Sequence, residues 1–448
     1  MNSEARVSPA QDEGRDARPP LARWELGVLA GAVILALLLG GLNLGVPSLW
    51  HDEAVHVFVA KTIVETGQSR MLSGRPCPSG AAYNYLLAGV MAVFGDSEAA
   101  VRFPSVLLAG VCVVLTFVLV RRLLGRGTAA VAAVALAVSP WSVAWSREAR
   151  FYTLQQALYL AMLLLVWHAL TARRGRRAWG WGAGACGAYL AGIATSLHSI
   201  LFLGPVGAYA CAMAAHEIRA RARWRSRWAV AGLLVAGIGA ATAGGYYVAL
   251  PQADRDAIFT SGGLDGTAPE PARDRDRADP LYYPRFFANN LSTGYLFLAG
   301  VGFGLMLWKE GRRGLFAALA FLVPICALSY MGYRRFRFLY FAFPLYTAAF
   351  SYALIRLAQF AATARRSRWR MAGAVVLVAF GARLALSTAY LLGDSIEAAG
   401  GAHTTLARRH PQWREPCQYV REHAGDGAIL TTTYLPVLYY VGRVDDWY

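Results

Sequence analysis

The stretch Leu49–Phe58, LWHDEAVHVF, gathers His51, Asp52, Glu53 and His56 directly after an apolar run long enough to cross lipid. If this stretch is helical, Asp52 and His56 lie four residues apart on one face, and Glu53 points roughly 100° away. Such a cluster can serve as a general base, hold part of a divalent cation, or simply start a solvated helix with Asp52 as its N-cap. Two further turns carry the complementary charge. WSREARFYTL sets Arg147, Glu148 and Arg150 beside Tyr152, and MGYRRFRFLYFAFP sets Arg334, Arg335 and Arg337 ahead of Pro344. The planar guanidinium fork suits phosphate oxygens, so the partner these arginines imply is a phosphate or pyrophosphate; attraction to anionic lipids is the plainer alternative. His198, in TSLHSIL, is a lone imidazole at a helix junction, open to a binding role or to a packing role. Together these types suffice for group transfer at a membrane surface: a carboxylate to activate a hydroxyl, cations to stabilise a departing phosphate, and apolar walls for a lipid tail.

The elements that must position these residues are membrane spans. Of 448 residues, 56% are hydrophobic and 16% charged, which is the composition of a polytopic membrane protein. A net charge of +17 would suit nucleic acid on a soluble domain, but here the arginines sit in short clusters between apolar segments, so no nucleic-acid partner is expected. Lys61 and Lys309 are the only lysines against many arginines, a skew that points to a bacterial source. Residues 1–23 read as a disordered cytoplasmic tail. Eleven spans are expected, near 26–46, 103–120, 128–146, 151–170, 179–196, 199–215, 228–250, 291–308, 315–332, 338–360 and 371–392. Every second loop is arginine-rich, as at Arg121/Arg122/Arg126 and Arg365/Arg366/Arg368/Arg370, and these loops are expected to be cytoplasmic, which puts the N-terminus in the cytoplasm and the C-terminus outside. Residues 81–94 are too short to span and read as an interfacial or re-entrant helix in the first outer loop, 47–102. The second outer loop, 251–290, is expected to be mobile, as a lid or a linker. An extracytoplasmic segment, 393–448, reads as helix, strand, helix and the start of a second strand, either a minimal appendage or the beginning of a longer one. No cysteine spacing encodes zinc; Cys77 and Cys417 lie in polar segments, where a disulfide is open to them but two separate thiols are expected. No cofactor is required, and a divalent metal held by Asp52, His56 and His198 is permitted but not demanded by their spacing.

WHDEA after the first span, AAYNYLLAGVMAVFGDSEAAVRFPSVLLAG, SREARFYTLQQAL, SLHS and YRRFRFLYFAFP resemble the integral-membrane GT-C glycosyltransferases of the protein O-mannosyltransferase and aminoarabinose-transferase (ArnT-like) group, over roughly residues 24–392. The resemblance implies an all-α transmembrane bundle that takes a sugar from a polyprenyl-phosphate carrier, with inversion, and passes it to a hydroxyl of a glycan, lipid or protein acceptor outside the bacterial inner membrane. It implies Asp52 as catalytic base with Glu53 beside it, Arg147 to Tyr152 against donor phosphate or acceptor, and Arg337 in the late arginine element, where Phe338 replaces the usual tyrosine. Glu148 is the carboxylate nearest to the second acid of aminoarabinose transferases, and CPSGAAY replaces their usual approach to the interfacial helix, which argues against lipid A as acceptor. The rival readings are a transporter or flippase using the same arginines, against which stand the absence of an internal repeat and the placement of charge at span ends, and a noncatalytic envelope scaffold.

Overall fold

The computed structural model describes residues 20–77, 79–172, 175–221, 227–249, 279–331, 334–364, 366–399, 412–425, 427–431 and 433–447. The expected tail up to residue 19 and most of the 251–290 loop lie outside them. The chain is a multi-pass bundle of helices. Among the described residues eight helices are long and apolar enough to cross a membrane, or nine if a pair bent by 58° is one span. The eleven expected segments each coincide with helix. Two of them do not count among the eight: α8 (Arg176–Thr195), whose arginines and glycines make it less apolar, and α10 (Arg227–Ala249), whose apolar stretch among the described residues is the shorter Val230–Thr242. The bent pair is α5 (Arg126–Ala137) and α6 (Pro140–Ser146); Pro140 cannot continue the ladder of α5 and starts a new helix instead.

The first span, α1 (Arg23–Gly41), ends earlier than expected. A turn then leads to α2 (His51–Thr66), which carries the acidic cluster, and to α3 (Ala81–Phe94), a short apolar helix in the position expected for an interfacial or re-entrant one. The second long span, α4 (Glu98–Leu124), is N-capped by the Ser97 hydroxyl, which accepts from the amide of Ala100. Next come α7 (Tyr152–Thr171), α9 (Leu203–Arg221) and α11 (Tyr282–Phe287). The later spans are α12 (Thr293–Lys309), α13 (Gly311–Tyr330), α14 (Phe343–Thr363) and α15 (Ser367–Ala399). Helix α14 is the axis of the bundle, with 94% of its apolar window buried against 6% for α15, so α15 is the lipid-facing member. Helices α12 and α14 approach so closely that a Cβ on Gly302 would lie 1.9 Å from the carbonyl oxygen of Ala349, and only glycine fits there.

At the end of the bundle opposite Asp52, Arg121 donates to both oxygens of Glu25, at 2.6 and 3.2 Å, and ties α1 to α4. At the Asp52 end, the C-terminal segment forms α16 (Arg414–His423), a strand at Leu430–Thr431, α17 (Tyr434–Val441) and a parallel strand at Asp446–Trp447, around a small core of Cys417, Ile429 and Val437. Cys77 and Cys417 are free thiols.

Candidate active site

Helix α2 begins with Trp50 as N-cap, not Asp52. Glu53, three residues on, turns its carboxylate back to accept from the Trp50 amide at 3.2 Å, so it does the capping. Asp52 is thereby left in the first turn with its side chain free to point into the bundle. There it meets two cations from separate elements: Arg150, from the turn before α7, donates to Asp52 Oδ2, and Arg337, from the 3₁₀ segment Phe336–Ala342, lies 3.6 Å from the same oxygen. Burial alone would raise the Asp52 pKa, but the Arg150 and Arg337 charges and the Arg150 hydrogen bond outweigh it and hold the carboxyl below the usual range. The carboxylate is therefore ionised at neutral pH and can accept a proton.

Arg150 is buried in an aromatic box, its guanidinium carbon 5.4 Å from the Trp50 ring and 4.9 Å from the Tyr152 ring, and its Nη2 donates to the Tyr152 hydroxyl at 3.2 Å. Arg337 lies over Phe338, and Phe338 stacks on His198 with ring centroids 4.2 Å apart. So the acidic turn, the Arg150–Tyr152 turn, the His198 junction and Arg337 do converge. The Nε atoms of Arg150 and Arg337 are both buried, and neither has a hydrogen-bond partner among the described residues. Two orphaned guanidinium donors beside one carboxylate leave room for a further acceptor.

Other expected site residues take up different tasks. Glu53 is buried and accepts from Arg102 at both oxygens and from the amides of Ala149 and Trp50; burial pushes its pKa up, and the Arg102 charge with these hydrogen bonds pulls it below the usual range. Arg147 is not turned to the site. Its guanidinium donates to the carbonyls of Leu39, Gly40 and Leu42, at 2.6 to 3.2 Å, and so terminates α1, whose last carbonyls have no intrahelical partner. Arg334 donates to the carbonyl of Met331 at 3.0 Å, and the Arg335 carbonyl accepts from the Tyr283 hydroxyl, so of the three late arginines it is Arg337 that reaches Asp52. Glu148 lies near enough to Arg150 and Tyr152 to act on both by charge.

A metal at Asp52, His56 and His198 finds no support in the arrangement. Among the described residues no three histidine, cysteine or acidic side chains are grouped to hold an ion. His56 is buried with Nδ1 2.7 Å from Asn84 Oδ1, and burial, with the Arg150 charge, lowers its pKa to about 4, so it is a neutral packing residue. Gly80 makes room for it: at φ +80° a Cβ there would lie 2.7 Å from the imidazole. The residue that sequence reasoning missed is Arg102. It lies in the quoted RFPS block, at the apolar end of a span, where a cation demands a buried partner.

Residues 79–244 match the family model described as dolichyl-phosphate-mannose-protein mannosyltransferase. No curated protein sequence matches the chain. Among solved structures, ArnT from Cupriavidus metallidurans bound to undecaprenyl phosphate superposes with a TM-score of 0.64 at 14% identity, over 95% of this chain and 85% of that one. The oligosaccharyltransferase AglB from Archaeoglobus fulgidus, in complex with an inhibitory peptide and a dolichol-phosphate, gives 0.62 at 13% identity over 95% of this chain. The chain spans 64% of the length of that oligosaccharyltransferase. These matches establish the shared fold.

Proposed function

We propose that this chain is a GT-C membrane glycosyltransferase of the protein O-mannosyltransferase and ArnT-like group, a reading its match to the family model and its fold support, and that it transfers a sugar from a polyprenyl-phosphate donor to an acceptor hydroxyl. The observation that carries this reading is the meeting of Asp52 with Arg150 and Arg337, three side chains from three elements. On this reading Asp52 takes the proton of the incoming hydroxyl as the oxygen attacks the anomeric carbon from the face opposite the phosphate, so the configuration inverts. The bond to the carrier oxygen breaks, and Arg150 and Arg337, with their spare Nε–H groups, stabilise the departing polyprenyl phosphate. Asp52 occupies part of the cationic site in the resting arrangement, and donor phosphate draws the guanidinium groups away from it, raising its basicity just when a base is needed.

Tyr152, which accepts from Arg150, and His198, stacked on the Phe338 that Arg337 covers, fit contacts to donor or acceptor; Glu53 and Arg147 are positioning residues that fix the turn on which Asp52 sits. The reaction is assigned to the extracytoplasmic face of a bacterial inner membrane, from the arginine-rich loops at the opposite end of the spans. The test is to reconstitute the chain with radiolabelled polyprenyl-phosphate sugars and a membrane extract as acceptor source. Label moving covalently to an acceptor is the expected result; label crossing the bilayer unchanged would replace the transferase with a transporter.

A further inference from the structure

Three irregularities meet away from the Asp52 site. The first is the break at Ser139–Pro140 between α5 and α6; the second is a π-turn at Ala288–Ser292, between α11 and α12; the third is Arg383, a charged residue within the span of the 33-residue helix α15. All three border one open cleft. The cleft is also lined by Tyr295 and Tyr346. Tyr346 is buried, and its hydroxyl has no hydrogen-bond partner among the described residues; the Tyr295 hydroxyl is likewise unpartnered. Arg383 is exposed on the lipid-facing helix, and no carboxylate pairs with it among the described residues. A span normally tolerates arginine only where it meets a partner or a functional ligand, and π-turns within spans concentrate at binding sites.

Helix α15 starts at the end of the bundle remote from Asp52. Counting from Arg370, thirteen residues at about 1.5 Å each raise Arg383 roughly 20 Å through a hydrocarbon layer about 30 Å thick. The guanidinium therefore lies in the outer third, on the Asp52 side, and can reach upward toward the headgroup level. We infer that this cleft is a second lipid site, in which Arg383 and the hydroxyls of Tyr295 and Tyr346 take the phosphate of an anionic phospholipid from the leaflet on the Asp52 side. A single guanidinium supplies one positive charge and a planar pair of donors, and the tyrosine hydroxyls add neutral donors; the charge matches an anionic phosphodiester better than an uncharged sugar. The apolar face of α15 beside it offers the acyl chains their contact.

The full-length chain in nanodiscs of mixed phosphatidylglycerol and phosphatidylcholine, released for native mass spectrometry, tests this. Phosphatidylglycerol should remain bound in preference to phosphatidylcholine, and Arg383→Gln should cut its retention about tenfold, the scale of one charge-assisted contact. Arg383→Lys should restore much of the loss, and Tyr346→Phe should lower retention by a smaller factor. Asp52→Asn and Arg337→Ala should leave retention unchanged. Equal retention of both lipids, or an Arg383→Gln protein that holds phosphatidylglycerol as the wild type does, would overturn the inference. Loss in the Asp52 or Arg337 variants instead would move the lipid phosphate to the site proposed for the donor and equally overturn it, without touching the transfer assay.

Discussion

Glu53 and Arg102 are joined by two hydrogen bonds, Nε to Oε1 at 2.8 Å and Nη2 to Oε2 at 2.7 Å, and both side chains are almost wholly shielded from solvent. The same arginine donates to the carbonyls of Leu44, Pro47 and Ser48, so one side chain of α4 holds the whole approach to Asp52. Glu53→Gln leaves that cation buried without its counter-charge. Breaking such a pair costs on the order of 3–5 kcal/mol, so the variant should melt well below wild type in a detergent thermal-shift assay. A variant that melts normally but has lost transfer would identify Glu53, not Asp52, as the reacting carboxylate.

Asp52→Asn separates chemistry from binding. Removal of a general base lowers turnover by roughly 10²–10⁴-fold. The asparagine no longer holds Arg150 and Arg337 by charge, so polyprenyl phosphate should bind at least as tightly as to wild type. Turnover and donor affinity measured side by side check both halves; near-normal turnover would remove the proposed base.

Arg337 and Arg147 should fail in different ways. Arg337 is partly open and pairs with Asp52, so Arg337→Ala should weaken donor binding by about tenfold while the protein melts near wild type. Arg147→Ala exposes three unsatisfied carbonyls at the end of α1 and should lower the melting temperature with donor affinity largely kept. Should Arg147→Ala lose donor affinity with no change in melting, its assignment as a helix-terminating residue would be wrong.

The spans were legible because apolar runs and arginine-rich loops are composition, read along one dimension. Convergence of Asp52, Arg150 and Arg337 was legible as a set of residue types on one side of the membrane, since cations between span ends imply an anion. What the chain could not disclose on its own was which arginine of each cluster turns inward. Arg147 and Arg150 differ by three residues in a turn without helical period, and the choice between them depends on where the carbonyls of α1 end. The neighbours Asp52 and Glu53 pose the same problem: which one faces Arg102 is decided by the start of α2, whose N-cap lies at Trp50 and not at Asp52, a position the sequence left open.

His56 gives a pH dependence whose sign is fixed. Its pKa is about 4 in the folded protein, against roughly 6.5 unfolded, so below pH 6.5 the unfolded chain binds the extra proton and stability falls as pH falls. The slope is at most about 1.4 kcal/mol per pH unit, between pH 6.5 and 4, and vanishes above that window. Asp52 and Glu53, both held below their usual range, add to the same loss only at lower pH, around and below the unfolded carboxylate value near 4. Melting temperature measured from pH 7.5 to 5 should therefore decline below about 6.5 in wild type, and His56→Gln should show a flatter profile. Parallel profiles would mean that His56 is already protonated in the fold.

The Tyr440 hydroxyl joins the C-terminal segment to the turn that bears Asp52: it accepts from the amide of Leu49 at 2.8 Å and donates to Glu98 at 3.0 Å. Ser48 is held from the same side, its hydroxyl accepting from the amides of Trp413 and Arg414 at 3.0 and 3.1 Å. Residues more than three hundred positions away thus fix the backbone three residues before the proposed base. Tyr440→Phe removes one hydroxyl and leaves the Leu49 amide short of its partner, a loss of roughly 1 kcal/mol or somewhat more, while Glu98 keeps its bond from Arg414. Because the bundle core is untouched, the protein should still insert and bind donor, while a looser Asp52 turn should lower kcat several-fold at nearly constant donor affinity. Single-turnover transfer by donor-saturated protein reads that step directly. An unchanged rate would show that Arg102 alone suffices to hold the turn, and that the C-terminal segment has no part in aligning the carboxylate.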